Sequence, residues 1–423
     1  MRKSIKIRII IFDLLINVLS NNKKFDNLFD KKIFDNNLNN QEKSFIYNVC
    51  MNTMRFSIHS KKIIEIFTNK NVDKKNYVLL ASAITQILLL KTKPYAVVNE
   101  TVEVAKYVNI YPSFINAVLK KITKNYSTLS KIQISISDFP LWIQKEINKS
   151  KIIDLKKFTN TFFCEPSLHI VFKNEHLLKL FRDEHLKSSE KSAFIKSNKK
   201  VPEIDGYLKG DWWVQNFSSM LPLSLTTELK YKKILDLCAA PGGKAFQILS
   251  KDIDITLNDI NKSRIEILKK NLNRLNFKAK ITNYNALNFP EINKYDVIIL
   301  DAPCSSIGTI RSNPEIIFRT QTANISSLNK LQQELLQKST MLLNSKGIII
   351  YMVCSFFFSE TIKPIQIFLE KNKNYSILKY ENLNKNLQIN NFLDKKGYFL
   401  TPPTKYQNYQ IDGFFSIQLI KND

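Results

Sequence analysis

Two cysteines each follow a short apolar run: residues 295–301 lead into Ala302-Pro303-Cys304, and residues 347–353 lead into Cys354-Ser355. A single cysteine at the end of such a run is ordinarily a small buried hydrophobe. Two of them at one sheet edge, with Asp301 three residues ahead of one, fit a nucleophile, a second thiol and an acid. The thiolate is the reactive form of cysteine, and a nearby carboxyl can manage its protons. Spacing alone does not say which thiol attacks. A third run, 234–237, passes into Cys238-Ala239-Ala240-Pro241-Gly242-Gly243-Lys244 and then a helical pattern. Small side chains and paired glycines let a ligand approach the backbone, and the helix start offers free N–H groups. The turn is neither G-x-G-x-x-G nor G-x-x-x-x-G-K-[ST], so neither a dinucleotide nor a nucleoside triphosphate is indicated. An ordinary tight turn would use the same glycines. Asp259 stands 23 residues beyond Asp236. An acid there is placed to hold ribose hydroxyls, or else to cap the helix that begins near Asn261.

These residues need elements that deliver them to one place. Segments 233–238, 254–258, 295–301 and 347–354 read as buried strands, separated by helical stretches at 262–275 and 328–343. Strand–helix alternation predicts a parallel sheet of the α/β class, with the ligand beyond the carboxyl ends of its strands. Ahead of residue 125 the periodicity is helical. A nearly continuous apolar stretch at 77–90 ends at Lys93-Pro94, and Pro112 opens a further helix. Residues 126–160 are lysine-rich and poorly periodic and read as a connection. Short β-like runs such as 168–172 follow, and the polar stretch 186–200 reads as a loop.

Composition narrows the class of partner. The 423 residues exceed one compact core, and 44% hydrophobic content argues against wholesale disorder. A net charge of +26 invites a polyanion, although only eight of 63 basic residues are arginine, a bias that base composition of the gene could produce. Five scattered cysteines with no CxxC speak against a disulfide framework or a metal site and for a reducing cytoplasm. Asp13 interrupts the apolar run after Met1-Arg2-Lys3, so a buried amphipathic helix fits better than a signal segment, and no stretch is long enough to span a membrane.

The runs DLCAAPGGK (236–244), DAPCSSIGTIRSNPE (301–315) and YMVCS (351–355), with Asp412-Gly413-Phe414-Phe415 at the last strand, resemble the Nol1/Nop2/Sun family of RNA 5-methylcytosine methyltransferases. KPYAVVNETV (93–102) and FINAVL (114–119) resemble the NusB-like helical domain that precedes the catalytic domain in the ribosomal RNA branch of that family. The resemblance is weak over 125–205 and strong over 230–360. It implies a Rossmann-like S-adenosylmethionine-dependent methyltransferase domain at 229–423. Ahead of it would come an all-α NusB-like domain at 1–135 and a small α+β RNA-binding subdomain at 136–228.

The resemblance also implies roles. Cys354 would attack carbon 6 of the cytosine, turning carbon 5 into a nucleophile, and Cys304 would assist the elimination that frees the product. Asp301 would hydrogen-bond the base, and Lys244 would balance charge or simply start its helix. Cofactor contacts would come from Cys238, Ala239, Ala240, Pro241, Gly242, Gly243, Lys244, Asp259, Asn285 and Asp301. The chain departs from the family at Asn285, usually Asp; at Asn313, usually His; at Val353, usually Thr; and at Phe356-Phe357-Phe358 and Thr361. The implied partner is 16S ribosomal RNA, naked or partly assembled, met by a monomer without metal or membrane. Trp212, Trp213 and Phe217 would stack bases or pack a core. Two rivals remain at this stage. A DNA cytosine methyltransferase would take its nucleophile from the Pro-Cys position and lack a counterpart of Cys354. A non-catalytic assembly factor would have no need of both thiols.

Overall fold

The computed structural model describes residues 2–21, 25–68, 72–150, 154–197, 199–226, 229–319, 325–380 and 387–423. The chain divides into two compact units. One holds residues 1–145, 154–163 and 310–322, and the other holds 146–153, 164–309 and 323–423.

The first unit is helical, and local chemistry sets its helix starts. It contains α1 (Lys3–Asn21), α2 (Phe25–Asn36), α3 (Asn40–Arg55), α4 (Ser57–Phe67), α5 (Lys74–Ile84), α6 (Pro94–Tyr107), α7 (Pro112–Lys124) and α8 (Tyr126–Leu129). Asn39 and Glu42 form a reciprocal capping box at α3, and Asp73 accepts from Asn76 N–H at α5. Proline opens α6 and α7, where its missing N–H costs nothing. The apolar run 77–90 continues from α5 into a π-helical turn, Thr85–Leu89. Leu15, Ile46, Val49, Leu80, Ile84, Val97, Ile115 and Leu119 meet in its core, and Phe318, from a segment far along the chain, packs against them. Arg55 Nε donates to the Arg311 carbonyl at 3.1 Å, tying that distant segment into the unit.

Residues 126–160 are more ordered than a connection. They contain α8, α9 (Leu141–Lys149) and α10 (Leu155–Phe162), and Phe139 meets Phe158 and Phe162 at ring-centroid distances of 5.7 and 5.1 Å. These helices are amphipathic, but at four, nine and eight residues each spans too few turns for a periodic pattern to stand out.

The second unit carries two joined sheets. Strands β1 (His169–Phe172), β2 (His185–Ser189), β3 (Ser192–Ile195) and β4 (Trp212–Val214) form an antiparallel sheet in the order β2-β3-β1-β4. The stretch 186–200, read as a loop, therefore contains a hairpin. Its serines concealed the pattern: half-buried Ser188 and Ser189 both hydrogen-bond the buried Ser192, and Ser188 also bonds His169, so paired hydroxyls stand where alternating apolar groups would mark a strand. Trp212, Trp213 and Phe217 are at most 2% exposed and belong to the core rather than to a base-stacking surface. The helix α11 (Glu175–Leu180) connects β1 to β2, and α12 (Phe217–Ser224) follows β4.

The larger sheet contains β5 (Ile234–Asp236), β6 (Ile255–Asn258), β7 (Lys280–Thr282), β8 (Tyr295–Asp301) and β9 (Leu343–Val353). After these come β10 (Tyr375–Leu378), β11 (Phe399–Thr401), the small pair β12 (Thr404–Tyr406) and β13 (Tyr409–Ile411), and β14 (Phe414–Lys421). The main order is β10-β14-β9-β8-β5-β6-β7, with β11 on β14. Strands β5 to β9 pair in parallel, and β14 runs antiparallel against β9. Between the parallel strands lie α13 (Gly243–Leu249), α14 (Lys262–Arg274) and α15 (Ile325–Leu342), and α16 (Ile362–Lys371) follows β9. The overall class is α/β, as expected. The two sheets share a core in which Val171, Phe194 and Trp213 join Phe246, Leu268 and Ile350. Among the described residues no helix is long and apolar enough to cross a membrane.

Candidate active site

Parallel pairing brings the carboxyl ends of β5, β6, β8 and β9 to one edge, and these ends carry Asp236, Asn258-Asp259, Asp301 and Val353-Cys354. Because β14 is antiparallel, its beginning lies there too, with Phe415 paired to Val353.

At this edge the two thiols meet: Cys304 Sγ and Cys354 Sγ are 3.3 Å apart. They are not equivalent. Cys354 Sγ also lies 3.3 Å from Ser306 Oγ, on a residue held at φ 60°, a left-handed conformation uncommon for serine. The hydrogen bond from Cys304 lowers the Cys354 pKa most, burial and Asp301 oppose it, and Ser306 and Lys244 assist, so Cys354 falls below an ordinary thiol. Cys304 moves the other way, held well up by its bond to Cys354, by burial, by the Cys354 charge and by Glu360. The site thus holds one thiol ready to ionise and one that keeps its proton.

Lys244, the second residue of α13, is both a helix-start lysine and part of the site. Its Nζ lies 2.6 Å from Asp301 Oδ2 and 5.2 Å from the centroid of the Phe414 ring. Burial works against its ammonium, but Asp301, Asp236 and Cys354 outweigh burial and raise its pKa. Asp236 is 1% exposed, and burial, reinforced by Asp301, lifts its carboxyl to about 7 against the pull of Lys244. The Cys238 thiol is pushed up by burial and by the same carboxylates, so it is no candidate nucleophile.

The cofactor turn is braced from β6. Asp259 Oδ2 accepts from Ala240 N–H at 3.1 Å and Oδ1 from Asn261 N–H at 2.9 Å, with Arg264 3.5 Å away. The cap of α14 is Asn261, whose side chain accepts from Arg264 N–H, so Asp259 is not the cap. Gly242, at φ 113°, turns the chain where a Cβ would come within 2.3 Å of the Phe246 ring. Cys238 to Gly243 line this turn as the sequence suggests. Asn285 stands exposed in the loop after β7, its side chain accepting from Leu287 N–H.

Three residues that sequence reasoning passed over support the arrangement. Asn258 is fully buried: it donates to the Leu237 and Tyr284 carbonyls and accepts from Thr282 Oγ1 and Tyr284 N–H, locking β6 to both neighbouring loops. Gln332 of α15 donates to the Pro303 carbonyl at 2.9 Å and fixes the turn before Cys304. Glu360 accepts from Ser305 and Ser355, the residues after the two cysteines. Each is a polar residue at full burial, a property no composition window reveals, although the repeated Cys-Ser dipeptide was visible.

The donor set fits one kind of ligand. Asp236, Asp259 and Asp301 surround a turn of small residues and would repel phosphates, whereas a cation bearing ribose hydroxyls suits them. Among the described residues no group of His, Cys, Asp and Glu is arranged to hold a metal ion.

A mixed sheet with an antiparallel final strand and an acidic cofactor turn defines a Rossmann-like methyltransferase. Residues 224–420 match the family described as 16S rRNA methyltransferase RsmB/F, and residues 5–124 match the NusB family. Residues 224–420 thus form an RsmB/F-type methyltransferase domain, and a NusB-type domain lies ahead of it. Ribosomal RNA small subunit methyltransferase B of Shewanella oneidensis is 25% identical over 401 residues, 90% of this chain and 91% of that protein. The Photorhabdus laumondii protein of that name is 35% identical over 174 residues, 40% of this chain and 41% of its own length. Among solved structures, PH0851 superposes with a TM-score of 0.73 at 19% identity, over 100% of this chain and 99% of its own. NSun6 from Pyrococcus horikoshii with SFG gives 0.55 at 16% identity, over 66% and 97%. At these identities the structural likeness concerns the fold.

Proposed function

We propose that this chain methylates carbon 5 of one cytosine in 16S ribosomal RNA, with S-adenosylmethionine as methyl donor and Cys354 as nucleophile. The observation that carries this reading is the asymmetric thiol pair at the sheet edge, with Cys354 lowered and Cys304 raised. The family match supports the rRNA substrate, and the relative solved with SFG, an analogue of S-adenosylmethionine, supports the cofactor.

When bound, S-adenosylmethionine supplies an electrophilic methyl group. Residues 238–244 would line its methionine portion, Asp259 its ribose and Asn285 its adenine, while Asp301 offers negative charge to its cationic end. The chain's own groups do the rest. The Cys354 thiolate adds to carbon 6 of the cytosine, and Asp301, held by Lys244, hydrogen-bonds the ring as electron density moves toward carbon 5. After methyl transfer the carbon-5 proton passes to solvent water, its bonding pair restores the carbon 5–carbon 6 double bond, and the carbon 6–sulfur bond breaks with its electron pair returning to Cys354. Cys304, 3.3 Å away, assists that departure. The target base must leave its stack to reach Cys354, which favours loops or incompletely assembled rRNA.

The domain at 1–135 and the α+β part at 136–228 would hold RNA, and the protein would act as a cytoplasmic monomer. Cys354→Ser should abolish methyl transfer with cofactor affinity unchanged, whereas Cys304→Ala should accumulate a covalent RNA adduct seen as a shifted band on a denaturing gel. Near-normal turnover in Cys354→Ser would sink the nucleophile assignment. Zero turnover by wild-type protein on unmodified 16S rRNA would favour the assembly-factor reading. Bisulfite sequencing of host 16S rRNA with and without the gene would locate the nucleotide.

A further inference from the structure

The two cysteine-bearing turns are built alike and share one anchor. Each cysteine is followed by a serine, and both serines donate their hydroxyls to the same oxygen of Glu360: Ser305 Oγ at 2.5 Å and Ser355 Oγ at 2.6 Å from Oε2. The other oxygen, Oε1, accepts from Ser305 N–H at 2.7 Å. Each serine oxygen also lies within reach of the N–H two residues on, Ile307 at 3.4 Å and Phe357 at 3.3 Å, so both turns use their serine in the same way. Glu360 is fully buried, and its carbonyl accepts from Tyr351 Oη at 3.0 Å, fixing it against β9.

A buried carboxyl with three donors aimed at it is costly to form and hard to deform. Here those donors come from two separate strand ends. Movement of either turn away from the other would strip an acceptor from a buried hydroxyl or leave Glu360 short of partners.

We propose that Glu360 is a positioning residue that sets the separation of Cys304 and Cys354 by clamping Ser305 and Ser355 to one carboxyl group. It touches neither substrate nor cofactor and acts through the two serines. The mechanistic consequence rests on the reading above, that one thiol attacks and the other assists release; the geometric claim does not. Glu360 also raises the Cys304 pKa, which favours ionisation of Cys354 instead.

Glu360→Gln keeps the shape but sets its NH2 either against Ser305 N–H, where two donors clash, or against the two serine oxygens, where both struts reverse direction and lose the carboxylate charge, so the clamp is weakened either way. The primary measurement is the rate at which diamide links Cys304 to Cys354 in full-length protein, followed by mass spectrometry of the joined peptides. Diamide takes up two electrons and two protons as two S–H groups become one S–S bond. Thiols 3.3 Å apart should couple readily in wild type. In Glu360→Gln coupling should slow by roughly tenfold, the worth of one hydrogen bond to a charged acceptor. Turnover should fall with the cofactor KM unchanged, and the RNA adduct should accumulate as in Cys304→Ala. Wild-type coupling in folded Glu360→Gln protein overturns the proposal. If that variant does not fold, Ser305→Ala and Ser355→Ala each remove one strut, and unchanged coupling in both overturns it equally. Diamide coupling requires no RNA, so a failure of the cytosine reading, shown by the absence of adduct in every variant, stays distinct from a failure of the clamp.

Discussion

At the scale of single residues, charge is concentrated where solvent is excluded. The half-buried Asp301 carboxylate raises the pKa of both Asp236 and Lys244, and Asp236 carries the clearest consequence. Burial and Asp301 lift its carboxyl from an ordinary 3.8 to about 7, so the folded chain holds that proton more tightly than the unfolded chain. The stability this contributes is complete below the unfolded value and is lost as pH rises toward the folded one. Cofactor-free protein should therefore lose thermal stability between about pH 4 and pH 7 through this group. Asp236→Asn should flatten that stretch, raising the melting temperature at pH 7 to 8 and changing it little near pH 4. An identical pH profile in the variant would show that Asp236 is not the group. The site was half legible at this scale. Cys304, Cys354, Asp301, Asp259 and the 238–244 turn stand out by type and by position at strand ends. Their unequal protonation does not, because it depends on a 3.3 Å sulfur contact between residues 50 positions apart.

At the scale of elements, the sheet edge is stitched by backbone as well as side chains. Gly308 N–H donates to the Cys354 carbonyl at 3.0 Å, and Gly413 N–H donates to the Gly308 carbonyl at 2.9 Å, joining the turn after β8, the end of β9 and the start of β14. A Cβ on Gly308 would stand 2.1 Å from the Gly413 oxygen and 2.9 Å from the Cys354 oxygen, both backbone atoms that cannot swing aside. Gly308→Ala should destabilise the protein by ~1–3 kcal/mol in chemical denaturation and reduce methyl transfer further than that loss alone explains. Unchanged stability would mean the three strand ends are not joined as described. The strands of this sheet were legible because parallel strands buried on both faces read as unbroken apolar runs. The hairpin of β2 and β3 was not, since serines paired with Ser192 and His169 stand where alternating apolar groups would mark a strand. The helices of 126–160 were hidden by their shortness, each spanning too few turns to show a period.

At the scale of the whole molecule, the charge of +26 is spread widely along the chain. The helical unit offers a direct test. Lys120, Lys121 and Lys124 are exposed on α7. Replacing all three with glutamine should weaken rRNA binding and lower the slope of log K against log salt by up to about 2, at roughly 0.7 per single-stranded phosphate contact. Deleting residues 1–125 outright is the blunter experiment, because Phe318 packs against the core of that unit and would lose its cover. An unchanged slope in the triple variant would mean that the positive charge of α7 does not meet phosphate.

By itself the sequence determined the division into a helical front and an α/β back, which cysteines and acids stand at strand ends, and the glycine turn at 238–244. These follow from periodicity and from residue type at fixed local offsets, which neighbours in the chain enforce. Only the tertiary structure decided that Trp212 and Trp213 are core, that Asp259 braces a turn rather than capping a helix, and that one buried carboxyl serves both cysteine turns. Those outcomes depend on which distant groups satisfy a buried polar atom. A hydroxyl or carboxyl has the same local signature whether its partner lies three residues away or fifty, and only folding selects the partner.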